Sequence, residues 1–484
     1  MKQSIVHTSE NGNSYLYNDR MRLSMLIHPH LYKICEFPTG LKQMDVDSYY
    51  KDKYVYLKNN GFFTKRKVVN LKSELDESIV RDNLSNTPQI VFEVTSGCNL
   101  NCFYCAQGEL YESYNGKSSK NIDINSAVKL LKYFFDIFPC SKNNKLGIGF
   151  YGGEPLLNIK FIKQIIKVIP YLNAEKKLDV TYLMTTNGTL IHRHMDFLVE
   201  NRFKLLISLD GNEENHSYRI FDGNLKNSHS KVIENVDMIK KQYPEYFEKN
   251  VSFNAVLHNR NSVKEIYEFV YMRYNKIPRI AELNMSHINP QKRGVLKNMF
   301  HNKRKSESEY IKENIGLLPH DQLSMYHELI NFLKYISVNY YVSHITNVFH
   351  KEEINLPTST CLPFSKKTFL TNDNKILTCE RIGENFTLGT VKHEVLIDIP
   401  DITQQYNSYY EKVSKICRYC YAYRFCGLCM FQIEKFNNIT NQRFVCDNFY
   451  DENKFKMKLF NIFSFLEDNP KDFFEILKNY VIEE

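Results

Sequence analysis

No stretch of this 484-residue sequence has the composition of a membrane span or a secretion signal. We find no run of about 18 apolar residues, the length that a transmembrane helix requires. The first residues, Met-Lys-Gln-Ser-Ile-Val-His, lack the apolar core of a signal peptide. The net charge of +8 is spread along the chain, and residues 303–305 form only a small basic block. These absences predict a cytoplasmic protein that binds neither membranes nor nucleic acid.

Cysteine is the residue type in excess, with twelve in the chain. Thiols stay reduced in a protein without an export signal, so metal ligation or redox chemistry is expected in place of disulfides. Three cysteines lie at 98–105 and seven lie between 361 and 446. The other two, Cys35 and Cys140, lie in apolar stretches and are predicted to be buried structural thiols.

Strand and helix patterns alternate through the middle of the chain. Short apolar runs are separated by stretches whose apolar residues recur every three or four positions. The predicted strands are 90–95, 146–151, 180–186, 205–209, 251–257 and 280–285. Such alternation forms right-handed βαβ units and a parallel sheet. We therefore predict an α/β fold built on a partial (β/α)6 barrel, with function at the carboxyl ends of the strands.

Smaller modules flank this predicted barrel. Residues 14–18 and 22–27 predict a hairpin, and helical patterns follow at 29–36 and about 46–59. The predicted domains are an N-terminal module at 1–88, the barrel at 89–300, a helical connection at 301–355, a cysteine-rich domain at 356–450 and C-terminal helices at 451–484.

The first cysteine group is a C-x3-C-x2-C motif, formed by Cys98, Cys102 and Cys105 directly after the first predicted strand. Three thiolates on one loop can hold three irons of a [4Fe-4S] cluster and leave the fourth iron without a protein ligand. That iron can chelate S-adenosylmethionine (SAM), and an electron from the cluster can then cleave the sulfonium bond to give a 5′-deoxyadenosyl radical. A three-cysteine zinc loop is the alternative.

This motif resembles the signature of the radical SAM superfamily, and the resemblance covers about residues 90–290. It implies that Tyr104 packs near the adenine of SAM. It also implies that Gly152, Gly153 and Glu154, at the end of the second predicted strand, meet the methionyl amine of SAM. Glycines let backbone approach a ligand closely, and Glu154 can anchor the loop.

The ends of the third and fourth predicted strands, Thr-Asn-Gly at 186–188 and Ser-Leu-Asp-Gly at 208–211, are similar to family segments that line the SAM ribose and the substrate cavity. The resemblance assigns Asn187 and Ser208 to SAM binding, although ordinary turns rich in Asn, Asp and Gly are the alternative. Arg219 follows His216 at a spacing like the family's His-x-x-Arg and is assigned a SAM contact. Ser217 stands where the family commonly has Asp.

The second cysteine group is too large for a single zinc ion, which would use four of the seven thiols and leave three. Two iron-sulfur clusters use all seven if one has four protein ligands and the other three. The pattern resembles the SPASM extension of radical SAM peptide-modifying enzymes, although its last interval is two residues where three is commoner. The resemblance implies a nearer and a farther auxiliary [4Fe-4S] cluster, held by Cys361, Cys379 and Cys429, and by Cys417, Cys420, Cys426 and Cys446.

An auxiliary cluster with three protein thiolates has an iron that can bind the thiolate of a substrate cysteine. A carbon radical made by the deoxyadenosyl radical could couple to that sulfur and give a thioether. Water or another group could equally fill the position, and the clusters would then only relay electrons. The sequence leaves both possibilities open.

The N-terminal hairpin and helices, at about residues 10–85, resemble the winged-helix element that binds leader peptides of ribosomally made natural products. Its edge strand would accept a leader peptide by β-addition. A structural cap on the barrel is the alternative. Together these features predict a radical SAM peptide maturase whose partners are a precursor peptide with a leader sequence and an electron donor such as flavodoxin or ferredoxin.

Two other functions are consistent with the sequence. A sulfatase-type maturase, which oxidises Ser or Cys to formylglycine, shares both cysteine regions and needs no leader-binding module. A zinc-ribbon binding protein without catalysis would contain zinc in place of about twelve iron and twelve sulfide ions for three [4Fe-4S] clusters.

Overall fold

The computed structural model describes residues 1–480 apart from 42, 70, 72–73, 113, 115, 117–118, 140–144, 314–322, 338–355, 434–445 and 447. Cys140, predicted from the sequence to be a buried thiol, lies outside the described residues. Cys35 is half-buried, and burial raises its pKa to about 12.

The N-terminal module is a three-stranded antiparallel sheet with helices packed beside it. Its elements are β1 (Ser4–Thr8), β2 (Ser14–Asn18), β3 (Leu23–Ile27), α1 (Pro29–Glu36) and α2 (Ser48–Asn59). The next helix, α3 (Glu77–Ser85), buries its apolar residues in the core of the large sheet instead. The strands pair in the order β1-β2-β3, so β2 and β3 form the hairpin that the sequence predicts. β1 was not predicted from the sequence.

The middle of the chain forms six parallel strands that neighbour one another in sequence order. The strands are β4 (Gln89–Thr95), β5 (Lys145–Gly152), β6 (Asp179–Thr186), β7 (Lys204–Ser208), β8 (Val251–Leu257) and β9 (Arg279–Glu282). The helices between them are α4 (Ile124–Ile137), α5 (Ile159–Leu172), α6 (Met195–Glu200), α7 (His229–Gln242), α8 (Pro244–Asn250) and α9 (Val263–Tyr274). This alternation agrees with the predicted α/β architecture.

Helices pack on the sheet through apolar side chains at helical spacing. In α4, Leu130, Leu131 and Phe134 are fully buried, and Asp123 caps the first turn by accepting from the backbone N–H of Ser126 at 3.0 Å. Phe161 of α5 packs edge-on against Phe92 of β4, with ring centroids 5.8 Å apart. These contacts hold the carboxyl ends of the strands at one edge of the sheet.

The predicted boundary at residue 356 suggests that the cysteine-rich region is a separate unit. In the structure, its first strands instead belong to the barrel sheet. Its elements are β10 (Thr368–Leu370), β11 (Lys375–Leu377), β12 (Gly389–Val391), β13 (Val395–Leu396) and α13 (Ile399–Cys417). β10 pairs in parallel with β4, so these four strands extend the barrel sheet to ten strands. The region that carries seven cysteines is thereby joined to the strand that leads into the first three.

The remaining helices are α10 (Arg293–Met299), α11 (Lys303–Glu313), α12 (Ser324–Asn331), α14 (Glu452–Asp468) and α15 (Pro470–Tyr480). α14 packs against the N-terminal sheet, where the ring centroids of Tyr15 and Phe463 lie 4.3 Å apart. No helix in the described part of the chain is long and apolar enough to cross a membrane.

Candidate active site

The first cysteine loop leaves the carboxyl end of β4 and is pinned by the segment that follows β7. The backbone N–H of Asn101 donates to Ile220 O at 2.7 Å, and that of Phe103 donates to Tyr218 O at 3.0 Å. The N–H of Asp222 donates in return to the carbonyl of the loop residue at position 99. Backbone hydrogen bonds therefore fix the loop between its cysteines.

The three thiols of this loop are neighbours. Burial raises the pKa of Cys98 to about 11 and that of Cys102 to about 12. The charge of Cys105 contributes to the rise of both pKa values. Such thiols keep their protons at neutral pH unless a cation binds them, because the thiolate is the form that ligates metal. The donor set therefore suits iron, whose charge would stabilise three adjacent thiolates.

Two glycines at the end of β5 allow close backbone contact with residues 95–97, which lead into the cysteine loop. A Cβ on Gly153 would lie 2.2 Å from Gly97 O, and one on Gly152, whose φ is +133°, would lie 2.3 Å from Thr95 O. The N–H of Gly153 donates to Thr95 O at 2.8 Å, and that of Glu154 donates to Gly97 O at 2.9 Å. Sequence reasoning expected these glycines to approach a ligand and did not foresee this backbone contact.

Glu154 is fully buried and links the ends of β5 and β6. Its carboxylate accepts from the N–H of Asn187 at 2.7 Å and from the hydroxyl of Thr186 at 2.8 Å. Burial raises its pKa to about 7, and these hydrogen bonds oppose that rise. Asn187 in turn donates to the side chain of Asn99 at 2.9 Å, with its Nδ2 3.8 Å from Cys98 Sγ. Glu154 and Asn187 thus position the cysteine loop from one side.

Asp210 organises the other side of the loop. It lies two residues after Ser208, the buried last residue of β7. Its carboxylate accepts two hydrogen bonds from Arg219, at 2.8 and 3.1 Å. It also accepts from the hydroxyl of Tyr104. Burial alone would raise the pKa of Asp210, but the Arg219 guanidinium holds it well below its usual range. The structure therefore commits two donors of Arg219 to Asp210.

The three-cysteine auxiliary set comes together from two segments and the end of a strand. The N–H of Met430 donates to the hydroxyl of Thr360 at 2.7 Å, which places the residues that follow Cys429 and precede Cys361 in contact. Cys379 follows β11. Burial raises the pKa of its thiol to about 11, and the charge of the nearby Cys429 contributes to the rise. Cys361, Cys379 and Cys429 are therefore neighbours.

The four-cysteine auxiliary set surrounds a cavity at the end of α13. Its empty space, including the mouth, measures about 410 Å³. The cysteines that line it are Cys417, Cys420, Cys426 and Cys446. Burial and then the other three thiols raise the pKa of Cys417 well above its usual value. The division of these seven cysteines between two clusters stays a prediction.

Residues 92–270 match the Radical SAM superfamily. This region is a radical SAM domain.

Relatives of the chain include a sulfatase-maturating enzyme and a radical SAM cyclopropyl synthase. A cysteine-type anaerobic sulfatase-maturating enzyme of Clostridium novyi (strain NT) is 28% identical over 188 residues, which are 38% of this chain and 48% of that protein. The radical SAM cyclopropyl synthase TigE of Paramaledivibacter caminithermalis is 27% identical over 171 residues, 34% of each protein. The chain therefore spans less than half the length of these curated relatives.

The structure of the anaerobic sulfatase-maturating enzyme anSMEcpe with bound AdoMet superposes with a TM-score of 0.53 at 18% identity. The match covers 82% of this chain and 97% of that chain. At this identity the likeness shows a shared fold. The radical SAM domain and its enzyme relatives make the protein an enzyme.

The ten cysteines of the radical SAM domain and the C-terminal region suit clusters better than single ions. Among the described residues, no three His, Cys, Asp or Glu side chains converge as the ligands of one metal ion must. In a [4Fe-4S] cluster each thiolate binds a different iron, so the thiolates surround the cluster without converging on one point.

Sequence reasoning missed a buried ion network that joins the N-terminal module to the four-cysteine set. Asp19 accepts from Arg66 Nε at 2.7 Å and from Arg424 Nη1 at 3.0 Å, and the side chains of all three residues are at most 10% exposed. Arg66 also donates to the carbonyl oxygens of Tyr419 and Cys420, both at 3.2 Å. Only the tertiary fold brings these distant residues together, so no local pattern could have indicated the network.

Proposed function

We propose that this protein is a radical SAM peptide maturase that joins a cysteine sulfur to a carbon atom within a ribosomally made precursor peptide. The observation that carries the proposal is the grouping of ten cysteines into sets of three, three and four. A nearer auxiliary cluster with three thiolates, Cys361, Cys379 and Cys429, would keep one iron for a substrate thiolate. An electron donor such as flavodoxin or ferredoxin completes the proposal.

When bound at the first cluster, SAM supplies the 5′-deoxyadenosyl radical that abstracts hydrogen from a substrate carbon. The residues proposed to bind SAM are Tyr104, Gly152, Gly153, Glu154, Asn187, Ser208 and Arg219. Their contacts to one another support a rigid site, because Glu154 fixes Asn187 and Asp210 fixes both Tyr104 and Arg219. A rigid site holds the reacting atoms in line and excludes side reactions.

Glu93 supports a substrate position between the first cysteine loop and the auxiliary region. Its carboxylate accepts from Gln107 Nε2 at 3.2 Å, two residues after Cys105, and from the N–H of Asn372 at 3.1 Å, between β10 and β11. Burial raises the pKa of Glu93. A peptide residue bound beside Glu93 would face the first cysteine loop on one side and the turn between β10 and β11 on the other.

The product of a cysteine-containing precursor peptide tests the proposal. With the purified enzyme, SAM and a reductant, we expect the peptide encoded beside the enzyme's own gene to lose two hydrogen atoms and one thiol that iodoacetamide can alkylate. Mass spectrometry measures both changes. A peptide that keeps its alkylatable thiol after deoxyadenosine has formed contradicts thioether formation.

The sulfatase-type alternative is favoured by the sequence relatives and is separated by the same experiment. Oxidation of Cys to formylglycine also removes the thiol, but it exchanges sulfur for oxygen and gives an aldehyde that reacts with hydrazide. An aldehyde product would replace the crosslink proposal with the sulfatase-type reaction.

The N-terminal module is proposed to bind the leader of the precursor by adding a strand to β3. Within the described part of the chain, β3 pairs with β2 alone, and Leu26 projects from it with 67% of its surface exposed. β1, at the opposite edge, is occupied, because the N–H of Gln3 beside it donates to Thr64 O at 3.0 Å and α14 packs against the strand. The exposed apolar side chain of Leu26 supports β-addition at β3.

Leu26→Asp is expected to weaken binding of the precursor peptide about tenfold or more while leaving uncoupled SAM cleavage unchanged. The exposed side chain contributes little to folding, so loss of apolar contact with the leader is the expected cause. Met272→Asp is the matched control, because Met272 is an exposed apolar residue of α9 on the barrel. Fluorescence anisotropy of a labelled leader measures affinity. Equal affinities of both variants and the parent would remove the leader-binding proposal.

Point substitution is a sharper test than deletion of residues 1–85. Deletion would remove Arg66 and break its hydrogen bonds to the backbone of Tyr419 and Cys420. It would also remove the carbonyl of Lys2, which accepts from the hydroxyl of Tyr421 at 2.6 Å. The truncated chain would lose both the module and the support of the four-cysteine set.

A further inference from the structure

Two buried tyrosines of α13 lie beside the three-cysteine set. Tyr406 is 2% exposed and Tyr410, one helical turn later, is 1% exposed. After burial, the charges of Cys429 and Cys361 raise the pKa of both hydroxyls, which places both rings near these thiols. Phe431, two residues after Cys429, packs edge-on against Tyr406 with ring centroids 5.5 Å apart.

The two hydroxyls differ in their partners. The hydroxyl of Tyr406 lies 3.0 Å from the hydroxyl of Thr378, the residue before Cys379. The hydroxyl of Tyr410 is buried and has no hydrogen-bond partner among the described residues. A buried hydroxyl without a partner is costly, and most such groups in folded proteins are hydrogen-bonded. The orphaned hydroxyl beside Cys429 and Cys361 therefore indicates a group that these residues bind together.

We propose that Tyr410 donates a hydrogen bond to a sulfur of the auxiliary cluster held by Cys361, Cys379 and Cys429, and that this bond sets the reduction potential of the cluster. The inference rests on the proposed assignment of that cluster. Hydrogen bonds to cluster sulfurs stabilise the reduced, more negative form and raise the potential. Tyr410 acts as a positioning residue and leaves the fourth iron available for the substrate thiolate.

The first test compares Tyr410→Phe with Tyr406→Phe in the full-length, anaerobically reconstituted protein. EPR-monitored redox titration measures the midpoint potentials, and the signal that Cys379→Ala removes identifies the relevant cluster. We expect this potential to become more negative in Tyr410→Phe and to move less in Tyr406→Phe, whose hydroxyl already bonds Thr378. An unchanged potential in Tyr410→Phe overturns the inference.

The second test asks whether the hydroxyl needs the cluster to matter for stability. Melting temperatures are measured for each variant before and after iron is removed with a chelator. Tyr406→Phe should lower both values equally, because Thr378 is present in both states. Tyr410→Phe should lower the melting temperature of the cluster-containing protein alone, and equal effects in both states contradict the inference.

The two tests also separate this inference from the proposed function. If Cys379→Ala removes neither iron nor an EPR signal, the three-cysteine cluster does not exist, and the proposed function and the inference both fall. If the signal exists and Tyr410→Phe leaves its potential unchanged, only the inference falls.

Discussion

Replacing Cys98, Cys102 and Cys105 together with Ala is expected to abolish reductive cleavage of SAM. The three thiolates are the proposed protein ligands of the first cluster, so their loss removes the site that would bind SAM. The iron content should fall by about four ions per chain, the content of one [4Fe-4S] cluster. Chromatography of 5′-deoxyadenosine and colorimetric iron analysis measure the two effects.

A matched variant shows whether the loss is specific to the first loop. Replacing Cys417, Cys420 and Cys426 with Ala should remove a similar amount of iron, because these residues line the four-cysteine cavity. Reductive SAM cleavage should persist in that variant. Deoxyadenosine production by the Cys98, Cys102 and Cys105 variant would refute the assignment of the first cluster.

Asp19→Asn is expected to destabilise the protein by about 3–5 kcal/mol, because it leaves buried guanidinium groups without a counter-charge. Asp19 is the carboxylate shared by Arg66 and Arg424. Burial would raise the pKa of Asp19, but the two guanidinium groups hold it below its usual value, so the charged form is the one that folding uses. Urea denaturation followed by circular dichroism measures the change.

The control for this prediction is Asp237→Asn. Asp237 also accepts from an arginine, Arg273, but both side chains are more than 40% exposed. Exposed ion pairs contribute about 0–1 kcal/mol, because solvent screens them. Similar losses in Asp19→Asn and Asp237→Asn would show that burial of the network does not matter.

The barrel strands could be predicted because each carries its own apolar pattern. Five of the six predicted strands agree with the structure to within about one residue at each end, which is within the uncertainty of strand boundaries. The sixth, predicted at 280–285, ends at Glu282. Its last residues belong to the segment that turns back toward the cysteine loop, where the N–H of Glu112 donates to His287 O at 2.9 Å.

The joining of the cysteine-rich region to the barrel could not be predicted. β10 has three residues, and nothing in Thr-Phe-Leu indicates that it pairs with β4. The cysteine sets themselves were visible because thiols are rare and their spacing is informative. Asp210 and Arg66 carry no comparable signal, since single charged residues are common and their partners are identified only in the folded chain.

The pairing of β10 with β4 also affects the order in which the sheet can form during synthesis. Thr368 pairs with Ile90 although the two residues are far apart in the sequence. The outer edge of β4 therefore stays unpaired while the rest of the barrel is translated. An unpaired strand edge is a template for aggregation, and contacts between distant parts of a chain form slowly. The scaffold beneath the first cysteine loop is therefore complete only after the ribosome has delivered the cysteine-rich region.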